Sequence, residues 1–180
     1  ALTGVLTDQL VSIGTANNVN LGADADFGTG LRWGRWTGGT ASVGGSPLDL
    51  NSQSLHWIYA AGGAASAETV QGMSGTANYT WIGNTDPTND SGIAGFVGAA
   101  SLQANFTLQT VSSSLTVGIN NQVWTASGNG TITSGTPLFD GSYTVGVTDP
   151  VGSPIETGNG GFSGFFTNTG AGMTFSLVGT

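Results

Sequence analysis

The chain is 180 residues long, with a mass of 17.9 kDa, only 7% charged residues, a net charge of −8 and a pI near 4.1. Lysine is absent, and Arg32 and Arg35 are the only cationic side chains other than the single histidine, so no basic cluster exists to neutralise phosphates and nucleic acid or anionic membrane surfaces are poor partners. The lack of cysteine excludes disulfides, thiolate metal sites and thiol catalysis.

The length suits one domain spanning residues 1–180, large enough to bury roughly 70% of the surface of its unfolded chain. Thirty-two glycines, five prolines and abundant Thr, Ser and Asn suit many short strands joined by turns. A lysine-free, cysteine-free chain of this kind reads as extracellular, cell-surface or periplasmic. It begins at Ala1 with neither a charged n-region nor an apolar h-region, which is expected of a mature product or an excised domain. No apolar run approaches ~18 residues, so no membrane-spanning helix is expected.

Residues 1–30 alternate weakly. Val5, Leu10, Val11 and Ile13 suit a first strand or a short helix equally, in an N-terminal extension packed on the main domain. Residues 22–30 (GADADFGTG) read as a polar turn. Residues 31–37 (LRWGRWT) alternate as a strand with Leu31, Trp33, Arg35 and Thr37 on one face and Arg32, Gly34 and Trp36 on the other. Residues 55–59 (LHWIY) form the next strand, and a helical turn is expected near residues 64–71. Residues 75–82 place Ala77, Tyr79 and Trp81 on one face.

The longest strand is expected over residues 95–110, with Leu102, Ala104, Phe106 and Leu108 inward and Gln103, Asn105, Thr107 and Gln109 outward. Leu115, Val117 and Ile119 follow, then a tight Asn120-Asn121 turn. Residues 123–127 continue, Gly128-Asn129-Gly130 breaks the run, and Tyr143, Val145 and Val147 suit a further short strand. Two period-two runs about Asn168-Thr169-Gly170 then make a closing hairpin over residues 158–180. Regular strand spacing without a convincing helix indicates an all-β antiparallel barrel of about eight strands with Gly-rich loops, or else a β-sandwich. The expected core comprises Trp57, Tyr79 or Trp81, Leu102, Phe106, Leu108, Leu115, Val117, Phe162, Phe166, Met173 and Phe175.

Three pieces carry a family resemblance: the W-G-R-W strand at 33–36, L-H-W-I-Y at 55–59, and G-x-F-x-G-F-F with G-A-G-M-x-F-S-L in the final hairpin. In this order they resemble the transferrin-binding-protein-B-like β-barrel, also found at the C-terminal end of FecR-type envelope proteins of Gram-negative bacteria. The resemblance implies a non-enzymatic binding module of the cell envelope with a protein partner. It also implies closure of the barrel by pairing residues 173–178 with residues 31–37, Gly34 lying opposite a bulky neighbour such as Phe175.

Candidate sites are sparse. His56 lacks a nucleophile elbow or a set of fellow ligands, so a hydrogen-bonded structural role is favoured. Glu68 and Glu156 fall in expected loops rather than on paired rigid elements, which leaves a hydrolase as a remote alternative with no catalytic residue assigned. Asp24 with Asp26, and Asp86 with Asp90, are weak Ca²⁺ candidates, although Asx turns explain both stretches and Ser91 stands where an EF-hand needs Gly. No cofactor is expected. Trp36 and Trp124, off the main apolar series, are the candidate surface contacts. Residues 140–149 (DGSYTVGVTD) resemble the late strand of bacterial Ig-like repeats, which makes a structural adhesin module, with or without Ca²⁺, the alternative function.

Overall fold

The structure, a computed structural model, describes residues 11–23 and 28–180. Its largest element is a seven-stranded antiparallel sheet in which every strand lies beside its neighbours in sequence. The strands are β7 (Thr76–Tyr79), β8 (Phe96–Asn105), β9 (Thr110–Ile119), β10 (Gln122–Ile132), β11 (Leu138–Thr148), β12 (Pro154–Phe166) and β13 (Ala171–Gly179). The sheet curls as a half-barrel about its apolar face. Alternation sets that face: along β11 the side chains of Phe139, Tyr143, Val145 and Val147 are buried, and Asp140, Ser142 and Thr144 are exposed.

Aromatic rings fill the concave side. Phe166 on β12 lies 4.8 Å from Phe139, 5.2 Å from Phe106 and 5.8 Å from Tyr79, between ring centroids. The Tyr79 contact brings the first and penultimate strands of the meander together through side chains. Beside them Ser113 and Tyr143 share a buried 2.6 Å hydrogen bond, which satisfies both hydroxyls inside the core. Helix α1 (Ala67–Gly72) sits against the same core through Val70. Ser66 caps it by accepting the Thr69 amide, and the Ala65 amide donates to the Phe166 carbonyl at 2.8 Å.

Two three-stranded sheets come from the first third of the chain. One joins β1 (Val11–Ile13), β4 (Thr40–Val43) and β5 (Ser46–Asp49); the other joins β2 (Asn17–Ala23), β3 (Leu31–Thr37) and β6 (Ser54–Ala60). A second small core of Ala41, Val43, Leu50 and Leu55 lies between them, with Trp36 packed against it.

Several expectations are corrected. The strand over residues 31–37 does not close against the last one: β3 has β2 on one edge and β6 on the other, and among the described residues β13 is laddered only to β12. With both edges of β3 occupied, no place remains for β13. Gly34 therefore faces Trp57, while Phe175 faces Phe162. Leu108 is 69% exposed. The long strand stops at Asn105, whose side chain accepts the Leu108 amide, and Gln109 takes a positive φ of 54°, so alternation ends before Leu108. Trp57 is half-buried and lies outside the main core, and of the pair Tyr79 and Trp81 it is Tyr79 that packs inward. Met173 and Phe175 are half-buried against that core.

Gly128-Asn129-Gly130 does not interrupt its strand; β10 runs unbroken for 11 residues. A methyl group on Gly128 would overlap the Ser142 carbonyl of β11, so this glycine permits close backbone approach rather than a turn. Asn120 and Asn121 do make the expected tight turn, with φ of 51° and 59°.

Candidate functional site

The outer face of the meander is built from short polar side chains in register. One row crosses five strands as Asn78, Gln103, Ser112, Asn129 and Ser142. The next row runs Ser101, Ser114, Ser127, Thr144 and Asn159, and a third includes Thr116, Thr125 and Thr157. Adjacent members bond to one another: Gln103 Nε2 donates to Asn78 Oδ1 at 2.7 Å, and the Ser101 and Ser114 hydroxyls are 2.7 Å apart. Because Ser and Gly leave little bulk between rows, the face holds two shallow adjoining troughs of about 760 and 620 Å³ that share Ser101, Ser114, Ser127 and Thr144. None of the residues lining them is charged.

The β3–β6 pair presents two different faces. On one, Trp33, Arg35 and His56 lie beneath the segment that follows β7. Gly83 sits against the Trp33 indole, and a methyl there would overlap the ring. His56 Nδ1 lies 2.7 Å from Thr85 Oγ1 and Nε2 lies 3.1 Å from Thr88 Oγ1. One ring nitrogen of a neutral imidazole donates and the other accepts, and a threonine hydroxyl can answer either role. Burial, reinforced by the Arg35 charge opposite in the ladder, lowers the His56 pKa to about 4, with Asp86 opposing the shift. A base this weak is poorly matched to proton abstraction near neutrality.

The other face carries Trp57 and Tyr59, with ring centroids 5.7 Å apart and planes inclined by only 27°. Gly34, directly opposite Trp57, lets the indole lie across β3, where any Cβ would overlap it. Trp57 Nε1 donates to Asn18 Oδ1 at 3.3 Å, which ties the ring to β2. Tyr59 is 49% exposed, and its partner in the ladder is the exposed Arg32. Arg32 and Arg35 thus occupy opposite faces, as their odd separation requires.

The sequence-derived candidates are dispersed. Trp36 is half-buried against the small core; Trp124 is half-buried against the main core, its Nε1 donating to Gln122 Oε1 at 3.3 Å. Asp86 borders His56, and Asp90 is exposed in a loop organised by Asn89, whose Oδ1 accepts the Ser91 and Ile93 amides. Asp24 and Asp26 lie outside the described residues. Among the described residues, no group of three or more His, Asp or Glu side chains is placed to hold a metal ion. Contrary to expectation, Glu68 lies in the first turn of α1 and Glu156 lies on β12.

Sequence reasoning missed both surface arrays. Lateral rows depend on cross-strand register, which alternation within one strand does not encode. The Trp57–Tyr59 stack did carry a signal, since the two aromatics are two residues apart on one strand face opposite a glycine strand. No protein-family model, no curated protein and no solved structure matches the chain.

Proposed function

We propose that this chain is a non-enzymatic binding module of the bacterial cell envelope or surface, which engages a protein partner across the outer face of β7–β11. The observation that carries the reading is the run of uncharged hydroxyl and amide rows over five adjacent strands. At a strand spacing of about 4.8 Å this face is about 20 Å across, the scale of a standard protein interface. Ser and Thr lose little rotamer freedom on docking, and the troughs contain no charge to desolvate.

The resemblance of residues 33–36, 55–59 and the final hairpin to transferrin-binding-protein-B-like barrels supports the same class. The first two pieces form one antiparallel pair, residue against residue. The family's closed eight-stranded form would need one more strand between β7 and β13, whose outer edges pair with no other strand among the described residues. The depressed His56 pKa supports the non-enzymatic reading, and the lysine-free composition supports an extracellular or periplasmic location.

The test is capture of partners from the native envelope by the intact protein and by Ser127→Arg, which sets a bulky cation in the middle of both troughs. A partner protein captured by wild type and lost by the variant, with the melting temperature unchanged, supports the proposal. Capture that survives Ser127→Arg assigns the interface elsewhere.

A further inference from the structure

On the sheet formed by β2, β3 and β6, the face that carries Trp57 is, among the described residues, packed into a core at one end. There Trp36 and Leu55 pack into the small core, whereas Arg32 and Tyr59 at the other end are exposed. We propose that Trp57 and Tyr59, with Arg32 beside them, form a stacking site for a neutral glycan chain. This site is on a different sheet from the troughs of β7–β11, so it stands or falls independently of the protein interface.

Four observations lead there. First, the two rings are near-parallel and stacked, with centroids 5.7 Å apart, so they form one rigid aromatic unit whose solvent-facing side can meet a sugar ring. The apolar C–H face of a pyranose packs on an aromatic face, which attracts partial positive charge through its quadrupole. Second, the indole is held in place before any ligand arrives, by Asn18 at its nitrogen and by the Gly34 backbone beneath its six-membered ring. Ordering it therefore adds little to the cost of binding.

Third, Arg32 lies opposite Tyr59 and offers a planar fork of donors to ring hydroxyls at the shelf's edge. The net charge of −8 on the chain as a whole disfavours an acidic polymer through long-range repulsion. Fourth, the exposed patch is small. Two rings and one guanidinium fall far short of the ~800 Å² per partner that a stable protein interface covers. They match a ligand one sugar residue wide.

Affinity electrophoresis of the intact protein through gels containing hydroxyethylcellulose, mixed-linkage β-glucan or mannan tests the site, with polygalacturonate as the acidic comparator. Wild type should be retarded by at least one neutral polymer. Tyr59→Ala should weaken that retardation about tenfold, the effect of losing one stacking contact. Trp57→Ala should abolish it and Arg32→Gln should weaken it less, while Ser127→Arg should leave it intact. Tyr59→Ala and Arg32→Gln alter exposed side chains, so their melting temperatures should match wild type and separate loss of binding from loss of fold. Failure of all three neutral polymers to retard wild type would overturn the proposal. Retardation by polygalacturonate alone, or full retardation of Tyr59→Ala, would overturn it as well.

Discussion

His56 should make the protein lose stability on mild acidification, in a window set by its two pKa values. In the unfolded chain the imidazole titrates near 6.5; in the folded protein burial and Arg35 hold it near 4. Between those values the unfolded state binds more protons, so stability rises with pH across the window. The contribution is complete above about pH 7, is lost as pH falls through 6.5 towards 4, and changes no further below that. The full shift corresponds to about 3 kcal/mol, of which about 2 kcal/mol is already gone at pH 5. Carboxylates titrate in the same range, so the measurement must be differential. Urea unfolding of wild type and His56→Gln, at about pH 7.5, 6, 5 and 4, isolates the histidine term as the difference between the two curves. The charges facing the ring, Arg35 and Asp86, are common to both proteins. Since His56 is the only histidine, its NMR titration is a single unambiguous curve. Parallel stability curves for the two proteins, or a measured His56 pKa near 6.5, would refute the reasoning.

Three further outcomes follow from packing. Phe166 is fully buried against Tyr79, Phe106 and Phe139, so Phe166→Ala should cost about 3–5 kcal/mol in denaturant unfolding. Gly128→Ala should destabilise by about 3 kcal/mol in the same assay, because its methyl meets a backbone carbonyl that cannot rotate away. Leu108→Ser should shift the midpoint by less than about 0.5 kcal/mol, since the leucine is mostly exposed at a turn; a large loss there would restore the inward register originally expected from alternation.

What was legible in the sequence was what one strand can encode alone. Alternation marked the inward faces through Leu102, Phe106, Leu115, Val117, Phe162 and Phe166, all buried. Asn120-Asn121 and the final hairpin were equally clear, because turn chemistry is local. Pairing between distant strands was not legible. Residues 31–37 carry no mark that their edges belong to β2 and β6 rather than β13. Glycine was ambiguous for a related reason: Gly128 and Gly130 look like breakers along the chain and act as spacers across it. The aromatic shelf is hidden because hydrophobicity alone places Trp57 in a single core, whereas the described residues form two, and Trp57 lies outside the buried residues of both.

Among the described residues β13 is laddered on one side, which gives the fold a mechanical direction. Tension applied at Thr180 would load first the two hydrogen bonds that its amide and hydroxyl donate to the Thr157 carbonyl, then the Gly158–Gly179 pair, and travel towards the loop at residues 167–170, parting the ladder one rung at a time. Three of the first four rungs contain glycine, Gly158 with Gly179, Gly160 with Leu177 and Gly161 with Ser176, so little side-chain packing reinforces them. The first substantial barrier is the Phe162–Phe175 rung, where the Phe162 ring also packs tilted against Tyr143, 4.7 Å between centroids. A load entering through this strand would thus be dissipated gradually. The same force applied along β3, which is clamped on both edges, would have to shear two ladders together.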